Sequence, residues 1–297
     1  MRSPSRYLVL GTIVLVGAIL RFWHLDGKPL WADEILTALF SLGRSPSDLP
    51  LNALFSQFHL TFNPDATCGE IARNVAVEST HPPLFFCLTH SWIGAIDGFF
   101  DSLAWQMRSL SALFGVGAIV AVFALNYIAF SPTSGLIAAS LMAVSPFCVY
   151  LSQEARHYTL PLFLVAIALS ALIWVIQNRQ HRLVAIVVWI AANSIGLYIH
   201  YFFILAYGSQ VAIVFSLLIL RWQFFRDRAN AIRAYILSPV NGKAKTRQLI
   251  LPLLRGVRGD LRSFAPTFVL GGRTPFAPTV FLPLLVFIPW LPTLIEH

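Results

Sequence analysis

The chain alternates long apolar runs with short polar breaks, and the runs have membrane-crossing length. A helix needs roughly 20 mostly apolar residues to cross a bilayer. Tyr7 to Leu25 meets that length and is interrupted by a single charge, Arg21, near its end, where a long side chain can snorkel to the headgroups. No charge falls between Ser109 and Gln153. That run holds two helices, with Ser131-Pro132-Thr133-Ser134-Gly135 as the turn between them. Residues 157–178 form another span. Leu183 to Leu220 is again charge-free and holds two more, joined near His200-Tyr201, and residues 277–294 form the last. Pro82 to Phe100 is apolar but short and opens on His81-Pro82-Pro83. It either crosses the membrane or lies along its surface.

The distribution of charge chooses between those two. With 82–100 lying flat, there are about seven spans and the N-terminus is cytoplasmic. Arg2, Arg6, Arg179, Arg182 and the 221–273 stretch then share one side, with 15 of the 21 basic residues and only Asp227 and Asp260 as acids. The outer side takes ten acids, among them Asp26, Asp33, Glu34, Asp48, Asp65, Glu70 and Glu78. A crossing 82–100 segment would move the basic loop outside, against the positive-inside rule. The expectation is an all-α, polytopic transmembrane bundle, a single module over residues 1–297. Interfacial helices sit in a long acidic external loop at about 26–107, and a basic cytoplasmic loop at about 221–276 skirts anionic headgroups. The first span starts like a signal peptide but lacks a small-residue cleavage site, so it is read as retained.

Composition agrees. Hydrophobic residues make up 57% of the chain and charged residues 11%, where a soluble domain carries about 25% charged. This excludes a disordered chain, a nucleic-acid-binding domain and an ordinary cytosolic enzyme. The net charge of +8 is accounted for by topology, so no nucleic-acid partner is expected. Cys68, Cys87 and Cys148 show neither metal-ligand spacing nor a disulfide framework and say little about redox compartment. The expected location is multi-pass, in a bacterial inner membrane.

Polar groups near a membrane need a reason to be there, and in this topology five sets of them gather at the outer face. Asp33-Glu34 follow the first span, and His81-Pro82-Pro83-Leu84 opens the flat helix. Arg108 begins the second span, Gln153-Glu154-Ala155-Arg156-His157-Tyr158 closes the third, and His200-Tyr201 joins the fifth and sixth. A carboxylate there can act as general base for an acceptor hydroxyl or amine. Arginines beside histidine and tyrosine can hold a phosphate and stabilise it as a leaving group. Together they suit group transfer from a phosphorylated lipid whose tail lies between helices. Each residue also has a plainer use: Asp33 and Glu34 could cap a helix, Arg108 could anchor a helix end at the headgroups, and Arg156 could pair with Glu154.

Four segments occur in an order that resembles a known group of enzymes: Leu-Trp-Ala-Asp-Glu at 30–34, His-Pro-Pro-Leu-Phe-Phe at 81–86, Arg-Ser-Leu-Ser-Ala-Leu-Phe-Gly at 108–115 and Ser-Pro-Phe-Cys-Val-Tyr-Leu-Ser-Gln-Glu-Ala-Arg-His-Tyr at 145–158. They are similar to the GT-C superfamily of membrane glycosyltransferases, in its protein O-mannosyltransferase-like and aminoarabinose-transferase-like groups. Pro-Trp-Leu-Pro at 289–292 resembles the seventh helix of that module. The resemblance implies a polyprenyl-phosphate-linked sugar as donor, a lipid, glycan or protein as acceptor, and inverting transfer at the outer face. It places Asp33 on the catalytic acid position with Glu34 beside it. It implies lipid-phosphate or substrate contact for His81, Arg108, Arg156, Tyr158, His200 and Tyr201. Some relatives bind a divalent metal and others need none, so no cofactor is assigned. Family members usually carry further helices and often a soluble domain, so the chain reads as a truncated or minimal module. The alternatives are a non-catalytic carrier of lipid-linked substrate and a truncated scaffold subunit.

Overall fold

In the computed structural model the described residues are 3–45, 47, 60–177, 180–237 and 283. Among them the secondary structure is helical throughout: α1 (Ser3–Phe22), α2 (Ala32–Ser41), α3 (Cys68–Glu78), α4 (Leu84–Ile96), α5 (Leu103–Ala129), α6 (Pro132–Val144), α7 (Pro146–Ser152), α8 (Thr159–Gln177), α9 (Arg182–Ile199) and α10 (Phe203–Leu237). Five helices, α1, α5, α8, α9 and α10, are long and apolar enough to cross a membrane, and α6 with α7, a bent pair, makes a sixth when counted as one span. These are the first six spans expected from the sequence. The expected seventh, with Pro-Trp-Leu-Pro, lies outside the described residues, as does 238–276 of the basic loop. Residues 221–237 are not loop: they continue α10 as helix. At 1.5 Å per residue the 35-residue α10 is about 52 Å long, more than the roughly 30 Å of a bilayer core. Its basic end therefore has room to stand clear of the hydrocarbon. The 13-residue α4 reaches only about 20 Å, which accords with an interfacial segment.

Local chemistry sets the breaks. Ser131 and Ser145 each cap a helix, accepting from the N–H of Ser134 and Cys148, and each is followed by Pro in the first turn. Pro146 lacks the N–H that the Met142 carbonyl would need, so the span breaks there and α7 leaves α6 at 62°. The freed carbonyls are met by Arg21, whose Nη2 donates to Met142 O at 2.9 Å and whose Nη1 donates to Ala143 O at 2.9 Å and Gly17 O at 3.0 Å. Arg21 is 0% exposed. The expectation that it snorkels to the headgroups is therefore corrected: it is spent inside the bundle on the carbonyls of a proline break. Close packing makes the room. A side chain at Gly115 would collide with Ser152 and meet Arg21 Nε, the kind of small-residue contact that membrane helices rely on.

Two apolar clusters hold the long helices together. Ile119, Ala139 and Ala143 join α5 to α6, with Leu10, Ile13 and Val14 of α1 against them. The larger cluster joins α8, α9 and α10 around Trp189, Leu172 and Phe203, with Phe85 of α4. Between α9 and α10 a buried polar clamp fixes register: Trp189 Nε1 donates to Gln210 Oε1 at 2.7 Å, and Gln210 Nε2 donates to Asn193 Oδ1 at 3.1 Å. The turns 23–31, 97–102, 153–158 and 200–202 lie at alternate helix ends, so the antiparallel run of α1, α5, α6–α7, α8, α9 and α10 brings them to one end of the bundle.

Cys68 and Cys87 are joined in a disulfide that ties α3 to α4. The sequence reading found no disulfide framework, and this is a correction. A separation of 19 residues with a third, free cysteine, Cys148, gives no pattern in sequence. Only the packing of α3 against α4 brings the two sulfurs together.

Candidate functional site

Asp33 and Glu34 occupy the first turn of α2 and point different ways. Glu34 is buried. Its Oε1 accepts from Arg108 Nε at 2.8 Å and from the Ala155 N–H at 2.7 Å, and its Oε2 accepts from Arg108 Nη2 at 2.6 Å and from the Trp31 N–H at 3.3 Å. Arg108 spends its other N–H groups on carbonyls of the α1–α2 turn: Nη1 on Leu25 at 2.7 Å and Lys28 at 2.9 Å, and Nη2 on Pro29 at 3.1 Å. A guanidinium has five donors, and all five are engaged by protein. This pair locks α2, α5 and the 153–158 turn together. Residues 153–158 are held further by Ser111 Oγ donating to Arg156 O at 3.0 Å, and by Gln153 Nε2 donating to the carbonyls of Leu20 in α1 and Trp23 just past it, at 3.0 and 2.9 Å.

Asp33 is the outward partner. Its side chain is 41% exposed and faces Arg156, with Nη2 at 3.5 Å from Oδ2. Arg156 Nη1 also donates to Asp33 O at 3.3 Å and Thr37 Oγ1 at 3.2 Å, and its guanidinium lies 5.8 Å from the Tyr158 ring. Arg156 Nε is buried without a partner, so one charged donor of this arginine is unspent.

Beside Arg156 stand three histidines from three different turns. The ring centroids of His81 and His157 are 5.2 Å apart, those of His157 and His200 4.5 Å, and those of His81 and His200 6.0 Å. His81 Nδ1 is 3.1 Å from Ser79 Oγ, and His200 Nδ1 accepts the Phe202 N–H at 3.1 Å. His157 is 2% exposed and its Nε2 has no partner. Burial, then the charges of Arg156 and His200, push His81 down to about 4, with Asp33 opposing. Burial and the same neighbours hold His157 well below its ordinary value, and burial with Arg156 lowers His200. The triad is therefore neutral at pH 7 and each ring carries one lone pair and one N–H, the lone pair of His200 being engaged by the Phe202 N–H.

An apolar groove of about 280 Å³ opens next to the triad, lined by His157, Tyr158, Leu162, His200, Phe202 and Phe203 among others. It runs between the starts of α8 and α10, with polar groups at one end and hydrocarbon along its sides.

The structure thus brings Asp33, His81, Arg156, Tyr158 and His200 to one place. Glu34 and Arg108 stand directly behind it. Tyr201 packs on the α8–α10 cluster instead. Sequence reasoning named His157 and Trp31 within their motifs without singling either out as a site residue, and did not name Thr37. His157 adjoins Arg156 in a segment already singled out, and that adjacency was the available signal. Glu154 does not pair with Arg156: it accepts the Trp31 indole N–H, so that carboxylate is committed to α2. Nothing in the sequence indicates the Thr37 contact.

Comparison with curated proteins finds no match, and comparison with solved structures finds none. A family model does match, over residues 80–238. That segment carries His81, Arg108, Arg156, Tyr158 and His200, and all six spans except α1. The chain belongs to the dolichyl-phosphate-mannose-protein mannosyltransferase family, membrane glycosyltransferases of GT-C type.

Proposed function

We propose that this membrane glycosyltransferase takes its sugar from a polyprenyl-phosphate donor and transfers it, with inversion, to an acceptor at the extracytoplasmic face, with Asp33 as general base. The observation that carries this reading is the juxtaposition at Asp33. A half-exposed carboxylate adjoins Arg156, whose Nε is unspent, and an apolar groove begins within the same cluster. The groove suits an isoprenoid tail and Arg156 suits its phosphate. His157, His200 and Tyr158 line the groove at the end nearest Arg156, with His81 beside them. In the chemical step an acceptor oxygen attacks the anomeric carbon as the bond from that carbon to the phosphate oxygen breaks. The electron pair of the broken bond leaves on the lipid phosphate, and the acceptor proton passes to Asp33. Arg156 stabilises the charge that grows on the leaving phosphate. Glu34 and Arg108 act as positioning residues that hold α2 against α5.

The outer-face assignment draws on two independent features. Basic residues gather at the opposite helix ends, at Arg6, Arg182, Arg226, Arg228 and Arg233. The disulfide on the site side fits an oxidising compartment. A protein, lipid or glycan acceptor is compatible with this site, and the family's own description names a protein.

The direct test incubates purified full chain with a panel of polyprenyl-phosphate sugars and candidate acceptors, with products identified by mass spectrometry. Transfer from at least one donor, lost in Asp33→Asn, is the expected result. Binding of donor without transfer in any combination would indicate a carrier and end the enzymatic reading.

A further inference from the structure

We propose that His81, His157 and His200 form a site for one divalent transition-metal ion of the zinc class, at the mouth of the groove between α8 and α10. One ligand nitrogen from each lies within 4.8 Å of the other two. Tetrahedral zinc holds imidazole nitrogens at about 2.0–2.1 Å, which places them roughly 3.4 Å from each other. Small rotations of three side chains on turns close that difference.

Three further features point the same way. His157 Nε2 is buried and unpartnered, so a polar atom in the cluster awaits a ligand. His81 turns Nδ1 to Ser79 Oγ, the outer contact that fixes a ligating ring while its other nitrogen faces the ion. The three turns are pinned by separate contacts in the bundle, so the triad is preorganised without an ion.

Two features resist an ion and set its cost. Arg156 is a fixed positive charge beside the triad, but Asp33 pairs with it and offsets it. His200 Nδ1 accepts the Phe202 N–H, which leaves the proton on Nε2. Ligation by His200 therefore breaks this one turn hydrogen bond. In return, three neutral protein ligands leave a fourth position open. If the donor phosphate binds as proposed above, an oxygen of that phosphate fits this position. Three uncharged imidazoles give a phosphate no net charge, and the ion would supply it.

The test uses the full chain in detergent, with any affinity tag removed, stripped with chelator and dialysed against micromolar zinc. Elemental analysis should give one zinc per chain. Cobalt in its place should give the intense visible bands of a tetrahedral site. His157→Ala and His200→Ala should each weaken retention by at least about 10- to 100-fold. Since an alanine at buried His157 could disturb folding, His81→Cys gives a second arm. It exchanges one zinc ligand for another and should keep the metal while adding a thiolate-to-cobalt band in the near ultraviolet. Retention well below one ion per chain, or equal retention in the triple alanine variant, overturns the site. Binding of polyprenyl phosphate is measured separately on stripped protein. Lipid bound with no metal retained removes the metal site and leaves the donor reading standing. Metal retained with no lipid bound under any loading does the reverse.

Discussion

Asp33 and Glu34 are neighbours on one helical turn, each facing an arginine, and their surroundings are opposite. The Glu34–Arg108 pair is 2.6 Å apart with side chains 0% and 3% exposed. The Asp33–Arg156 pair is 3.5 Å apart with Asp33 41% exposed. In the first pair every donor of the arginine is engaged by protein, so removing either partner strands a buried charge. In the second, Asp33 reaches solvent and Arg156 Nε is unspent. A fixed pair behind an available one is how a site holds a reactive group still without consuming it.

The largest expected effect breaks the available pair. Asp33→Asn keeps the shape and removes the basicity, so turnover should fall by about 10²- to 10⁴-fold with thermal unfolding in detergent unchanged. Wild-type turnover under conditions where chemistry is rate-limiting would transfer the base assignment to another carboxylate. The locked pair should fail the other way. Arg108→Met leaves Glu34 charged and buried, and should lose about 3–5 kcal/mol of stability, read as a lower unfolding midpoint and poor yield. A variant that unfolds like the parent and loses only turnover would give Arg108 a direct part in the chemistry.

The disulfide sharpens the contrast by loosening one wall only. Cys68→Ser with Cys87→Ser should cost about 2–4 kcal/mol and weaken donor binding through His81, while the coupling of Glu34 to Arg108 in a double-mutant cycle stays as it was. Acid should act on the histidine wall. Their folded pKa values lie below the unfolded value of about 6.5, so between that value and the folded ones the unfolded state binds more protons. Stability should fall as pH drops from about 6.5 toward the value of about 4 for His81, and be flat just above pH 7 as far as this wall is concerned. His81→Asn should make the slope shallower. A slope unchanged by that substitution would place the proton uptake elsewhere. The smallest effect belongs to the half-exposed pair as a structural contact. A double-mutant cycle on unfolding for Asp33 and Arg156 should return no more than about 1 kcal/mol. A coupling as large as that of Glu34 with Arg108 would erase the distinction between the two pairs.

Much of the fold was legible because apolar length and charge asymmetry are one-dimensional signals. Six spans, the short α4 and the 131–135 turn all follow from where charges and prolines fall. Arg21 was misread because its partner is created by tertiary structure: Pro146 frees two carbonyls on a different helix, 121 and 122 residues away. The disulfide was missed for a related reason, since two cysteines carry no pairing information until α3 and α4 pack. In the site, Asp33, His81, Arg156 and His200 were singled out from sequence, while His157 was named only as part of the segment that carries Arg156.

The sequence by itself determined that this chain is a helical membrane protein, where most of its helices begin and end, and which polar segments share one end of the bundle. Hydrophobic length, capping residues and proline act locally, so they can be read along the chain. Only the tertiary structure decided which acid faces inward. Asp33 and Glu34 differ by one position on α2, and a shift of about 100° around the helix sends Glu34 toward Arg108 in the core and leaves Asp33 partly exposed beside Arg156. That choice depends on where α5 and the 153–158 turn sit around α2. Their positions are set by Arg21 at the α6–α7 break and by the packing at Gly115.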